Sequence, residues 1–158
     1  MSRSPHIISR DQMAALVEPR THPIDASVQR LAYALGDATG LTRIGIHYTV
    51  LEPGQTSTVA HVHHFSDEFL LVLQGHPRLS LDSETIDLAP GDFVGLPANG
   101  PCHLLHNPTL ENAVYIVGGD RAPHDVCDYP RIGRRAYIYE ENGRRNRDII
   151  HRADLDEK

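Results

Sequence analysis

Between residues 42 and 51 apolar and polar side chains alternate with a period of two. Ile44, Ile46, Tyr48 and Val50 fall on one face, Arg43, His47 and Thr49 on the other. That period predicts a strand, because successive side chains of an extended chain point to opposite faces. The apolar run at 69–73 predicts a buried strand. Further short strands are expected at 78–81, 85–88, 93–96, around His103 and at 113–117, with a tight connection at 82–84 and a turn at 89–92. Short strands punctuated by Gly and Pro predict an all-β sandwich or barrel. Upstream, the pattern predicts a short helix over 11–18 capped by Asp11, an edge strand at 28–35 and a turn at 36–40. Downstream, 120–130 reads as a loop, 135–140 as a last strand, and the chain from 141 on as a charged, exposed tail or partner-facing arm. The expected organisation is therefore an N-terminal extension at 1–41, a β-barrel at 42–120, and a C-terminal strand and tail at 121–158.

One stretch carries chemistry as well as pattern. His61 and His63 are two residues apart, so on an extended strand their imidazoles share a face. Glu68 follows five residues after His63, where the buried run begins. A carboxylate entering a core is costly unless it is partnered. Two imidazoles and a carboxylate converging on one point make a ligand set that leaves open positions on a divalent ion. His64 and Asp67 are expected to face away from the site. Leu70 and Val72 share the parity of Glu68, and Leu105 that of His103, so the walls of a pocket there are expected to be apolar, the usual form of a small-molecule site. Tyr48, His47, His106 and Tyr115 are further candidate cavity groups. Arg43 and Arg78 are the only cations on the expected core strands, which argues against a phosphorylated sugar as substrate.

Two spaced motifs give these residues a family. Gly54, His61, His63, Glu68 and Gly75 are followed by Gly91, Pro97, Gly100, His103 and Asn107. The order and spacing resemble the two motifs of the cupins, over roughly residues 42–120. There is one extra residue between Gly54 and His61 and one between Pro97 and Gly100; both fall in expected loops and leave the ligand spacing intact. The 120–130 segment also resembles a bacterial subgroup of small, single-domain, conserved-barrel cupins. The resemblance implies a double-stranded β-helix, or jelly roll. It implies a divalent transition metal held by His61, His63, Glu68 and His103, with Fe(II) the first expectation and Mn, Ni, Co or Zn as alternatives. Asn107 would lie beside the site or shape the turn after it. The implied activity is that of a non-haem oxygenase acting on a small organic substrate in the barrel, with Glu68 as ligand and proton acceptor. The same site would serve a metal-dependent isomerase or lyase, or a non-catalytic small-ligand binder. A homodimer is the expected assembly.

Composition narrows the field. At 158 residues the chain has the size of one domain and can bury about 70% of its unfolded surface. A net charge of −6 argues against a nucleic-acid partner. No apolar run approaches the roughly 20 residues of a membrane span, and the first residues show no signal-type stretch, so the cytoplasm is the expected location. Residues 1–127 carry seven Arg against fourteen acidic groups, whereas residues 128–158 carry seven Arg and Lys158 against seven. Lys158 is the only lysine, which makes Schiff-base chemistry a poor fit. Cys102 and Cys127 show neither a disulfide framework nor paired metal spacing, and Cys102 is expected to be a packed residue.

Overall fold

The structure, a computed structural model, describes residues 4–152. The chain enters through helix α1 (Arg10–Ala15), where the Ser9 hydroxyl accepts from the Gln12 backbone and the Gln12 side chain reaches back to the Ser9 N–H. This reciprocal cap starts the helix ahead of the expected Asp11. Pro19 restricts Glu18 to extended geometry, and Glu18 opens strand β1 (Glu18–Thr21) instead of closing a helix at 18. β1 pairs with β2 (Gln29–Ala34), so the strand expected at an edge is interior and β1 takes the edge. Residues 36–40 are not a simple turn: α2 (Leu35–Thr39) is one helical turn, stopped by Gly40 at φ +83°.

The strands that follow are β3 (Ile44–Leu51), β4 (Val62–His63), β5 (Glu68–Gln74), β6 (Arg78–Leu81), β7 (Glu84–Asp87), β8 (Phe93–Leu96), β9 (His103–His106), β10 (Ala113–Asp120), β11 (His124–Tyr129), β12 (Arg134–Glu141) and β13 (Arg144–His151). They form a six-stranded sheet in the order β1-β2-β3-β10-β5-β8, a four-stranded sheet β13-β12-β11-β4 and a three-stranded sheet β7-β6-β9, with every pairing antiparallel. The result is the expected all-β jelly roll. Bridges His61–His103 and Thr56–His106 join the chain around β4 to β9, closing one end of the barrel beside the histidines.

The core between the sheets is built from Leu51, Leu70, Val72, Leu79, Leu105 and Tyr115 with their neighbours, and a smaller cluster packs Val59, Cys127, Tyr129, Ala136 and Ile138. On β3 the inward face carries the fully buried Thr49 and Leu51, not the more uniformly apolar Ile44–Val50 set. Gly75 ends β5 at φ +77°, and a Cβ there would stand 2.7 Å from the Asn112 carbonyl oxygen. Only glycine accommodates both constraints.

Past residue 120 the chain departs most from expectation. The 120–130 segment is not a loop but contains β11, which pairs with β12 and, through Cys127 and Asp128, with β4. The residues after 141 are not a free tail: Asn142 and Gly143, at φ +53° and +71°, turn the chain into β13. Asn-Gly with both φ positive is the preferred two-residue hairpin turn. The C-terminal strands are thus part of the wall beside the site.

Candidate metal centre

His61 precedes β4, Glu68 opens β5 and His103 opens β9. The His61 and His103 backbones exchange two hydrogen bonds, of 3.1 and 2.9 Å, which sets their rings 4.4 Å apart. Glu68 Oε2 lies 3.1 Å from His103 Nε2 and 3.7 Å from His61 Nε2. One ligating atom from each of the three lies within 4.8 Å of the others.

The tautomers follow from the far side of each ring. His61 Nδ1 donates to the Val59 carbonyl and His103 Nδ1 to the Pro101 carbonyl, both at 3.1 Å. A carbonyl only accepts, so each neutral ring carries its proton on Nδ1 and aims a bare Nε2 lone pair at the Glu68 carboxylate. Two lone pairs facing a carboxylate repel unless a cation lies between them. Burial lowers the His61 pKa and favours its neutral form. Burial alone would raise Glu68, but where the His103 and His61 rings donate to it, the role a bound cation would take over, those contacts outweigh burial and hold the carboxyl well below its usual range. Neutral imidazole and ionised carboxylate are the metal-ligating states. The donor set therefore fits a divalent transition metal.

His63 stands beside His61, with ring centroids 5.0 Å apart, and lines the same cavity. It does not fall within the compact three-residue set but groups with His61 and Cys127. Its Nδ1 lies 2.5 Å from Oδ2 of Asp125, a fully buried carboxylate on β11 that also accepts from the Phe65 and Val126 backbones. Burial opposes charge on the His63 ring, but Asp125 and Glu68 outweigh it and raise the pKa. Burial likewise opposes charge on Asp125, and the His63 contact more than offsets it. The histidine is thus oriented by a carboxylate with Nε2 left available, the usual support of a ligating imidazole. Burial pushes the Cys127 thiol up to about 12, so without a metal it stays protonated.

These side chains open on a cavity of about 230 Å³. Leu70, Leu79, Leu96, Leu105 and Val117 supply an apolar wall, as the strand parity predicts for Leu70 and Leu105. Tyr115 also lines it, whereas His47 faces a neighbouring cleft. Asn107 is fully buried and donates to the Leu51 and Glu111 carbonyls at 2.9 and 2.7 Å, so it fixes the turn after β9. His64 is held between Asn99 and Asp128 rather than left on the surface, and Asp67 accepts from the Ala98 backbone.

Comparison with known proteins places this architecture. The cupin domain family matches residues 47–119. A protein from Acidithiobacillus ferrooxidans, described provisionally as a sugar phosphate isomerase, is 34% identical over 95% of this chain and 94% of its own, with a TM-score of 0.85. The chain is a cupin. A sugar phosphate isomerase of the cupin superfamily from Silicibacter pomeroyi is 26% identical to this cupin over 89% of the chain and 91% of its own, at a TM-score of 0.79. A cupin 2 conserved barrel domain protein from Salinispora arenicola is 26% identical over 59% and 76%, at a TM-score of 0.52. No curated protein matches the chain.

The cations of this cupin's cavity are Arg30 and Arg147, not Arg43 or Arg78. Arg78 is tied to Asp87 on the surface. Arg30 lies on β2, where the sequence pattern predicts an edge strand, and Arg147 on β13, where it predicts a tail. The premise of the expectation against a phosphorylated sugar changes, because the cavity draws its cations from strands outside the 42–120 barrel. His22, Asp125 and Tyr129 escape the sequence pattern for a similar reason. No helix among the described residues is long and apolar enough to cross a membrane.

Proposed function

We propose that this cupin is a metal-dependent isomerase of a small sugar-type hydroxy-carbonyl compound, with His61, His63, Glu68 and His103 as the metal-holding residues. The observation that carries this reading is the composition of the cavity: the metal-ligating side chains face a rim of Ser57, Thr58, Tyr129, His22 and the two arginines. Such a rim offers hydroxyl, imidazole and guanidinium partners to a polyoxygenated substrate. The names borne by the Acidithiobacillus and Silicibacter proteins point the same way.

A bound divalent ion, Fe(II) first among Mn, Ni, Co and Zn, would supply Lewis acidity toward the substrate carbonyl and its neighbouring hydroxyl. Among the described residues Glu68 is the single carboxylate lining the cavity. It is the group placed to accept the proton from the carbon bearing the hydroxyl and to return it to the former carbonyl carbon. The hydroxyl proton moves between the two oxygens, so aldose and ketose interconvert with no co-substrate. Tyr129 stacks on His61 with centroids 5.9 Å apart and closes that side of the cavity. Burial raises its pKa, so its hydroxyl stays a neutral donor.

The apolar wall favours a second reading, the oxygenase expected from sequence, since it would suit an apolar substrate and O2. Two assays on metal-loaded protein separate the readings. Isomerisation in D2O incorporates deuterium beside the carbonyl of a small aldose or aldose phosphate without oxygen uptake. Oxygen consumption with an enolisable or catecholic compound, and no exchange with any sugar, would replace the isomerase reading by the oxygenase one.

A further inference from the structure

The cavity lining also gathers a cationic group of residues next to the candidate metal ligands. Tyr129 packs against both His61 and His22, with ring centroids 5.9 Å from the first and 5.6 Å, edge on, from the second. Around His22 the cavity is lined by Arg30 and Arg147.

Three features of this group point to an anion. The first is the absence of internal neutralisation inside the cavity. Most described arginines lack a carboxylate within 4 Å, but Arg30 and Arg147 are the ones that also line this cavity, and among the described residues neither has such a partner. Arg30 is half-buried, and the one hydrogen bond its side chain makes among those residues runs from Nη1 to the Ser57 carbonyl at 2.6 Å. A partly buried guanidinium with no anion beside it is costly.

The second is His22, which is only 7% exposed. Its Nδ1 accepts from the Ile24 backbone N–H at 3.3 Å, so the neutral ring carries its proton on Nε2. Nε2 has no protein partner among the described residues. Burial first, then Arg30 and Arg147, lower the His22 pKa to about 4, so at neutral pH the ring is a neutral N–H donor.

The third is charge balance. Among the described residues Glu68 is the one carboxylate in the lining, and it belongs to the proposed metal ligands. A divalent ion with Glu68 carries one positive charge, and two arginines line the same cavity. A neutral sugar leaves that excess uncompensated, whereas a phosphate monoester dianion meets it. Two guanidinium forks and an imidazole N–H also match an anion with three terminal oxygens better than a planar carboxylate with two.

We propose that Arg30, Arg147 and His22 form a phosphate subsite, which holds the phosphate monoester of the substrate while its carbonyl end reaches the metal ligands of the same cavity. The assignment deepens the isomerase reading and rests on it for the sugar portion of the ligand. Arg30 and His22 position the dianion from the N-terminal strands, and Arg147 from the C-terminal hairpin.

The test is calorimetric titration of the full chain with inorganic phosphate, both zinc-loaded and chelator-treated, with acetate as the planar comparison. The metal-free chain is expected to bind phosphate, with acetate ~10-fold or more weaker. Arg147→Gln, on an exposed strand face, should weaken phosphate ~10-fold or more, as loss of a charge-assisted contact implies. Arg30→Lys retains the charge and should weaken it less, so a misfolded variant cannot imitate the pattern. Phosphate binding only with zinc present and unaffected by either substitution would put the anion on the metal and overturn the subsite. Acetate binding as tightly as phosphate would overturn its phosphate character. If phosphate binds as expected but no sugar phosphate exchanges deuterium, the subsite stands and the isomerase reading falls.

Discussion

His63 Nδ1 and Asp125 Oδ2 meet at 2.5 Å across 62 positions of sequence. The contact crosses from the chain at β4 to β11, and the same carboxylate accepts the Phe65 and Val126 backbone N–H groups. Asp125 therefore fixes both the ring and the loop that follows it. Asp125→Asn keeps the shape but removes the charge that orients His63 as a ligand. Metal affinity should fall about 10–100-fold, as for other groups that support a ligating histidine. Competition with a chromophoric chelator measures this, and an unchanged affinity would remove Asp125 from the account.

The ligands themselves are tested by His61→Ala combined with His63→Ala. The core is built mainly from leucines, none of them a candidate ligand, so circular dichroism should be unchanged while metal content by elemental analysis falls below about a tenth of the parent's. Full metal content in the folded double variant would mean that the ion sits elsewhere.

Asp128 ties β11 to β12 through a bidentate pair with Arg135, at 2.6 and 2.7 Å. The Arg135 contact first, and that of His64 beyond it, lower the Asp128 pKa to about 2. The folded value lies below the unfolded one, so the pair's contribution is complete above about pH 4 and is lost as pH falls toward 2. The shift corresponds to about 2 kcal/mol at neutral pH. Asp128→Asn should lose that amount at pH 7 and show a shallower decline in stability between pH 4 and 2, read by urea unfolding. Parallel curves for parent and variant would show that the pair does not couple to folding.

Gly75 offers a backbone test. Its φ of +77°, and the 2.7 Å that would separate an alanine Cβ from the Asn112 oxygen, predict that Gly75→Ala destabilises by about 2 kcal/mol or more. A change below about 0.5 kcal/mol would show that the β5 exit relaxes freely.

The barrel is legible where alternation and turn residues agree. The 93–96 strand is β8 as expected, and the two motifs locate His61, Glu68 and His103 where the structure gathers them. β11 is hidden because its inward positions include Asp125, a polar residue that breaks an apolar period. β13 is hidden by Arg144, Arg145, Arg147 and Asp148, although Asn142-Gly143 is a usable hairpin signal. Those two strands carry Asp125, Tyr129 and Arg147. The proposed metal ligands can be read from spacing, while the residues that pack around them and line the rest of the cavity depend on long-range pairing.

Crystallographic anomalous scattering from protein purified without added metal tests the central claim most directly. The account predicts one transition-metal peak per chain, bounded by Nε2 of His61, Nε2 of His103 and the Glu68 carboxylate, with His63 alongside. A peak elsewhere, or ordered His61, Glu68 and His103 side chains joined only by their own hydrogen bonds in fully metal-free native protein, would contradict it.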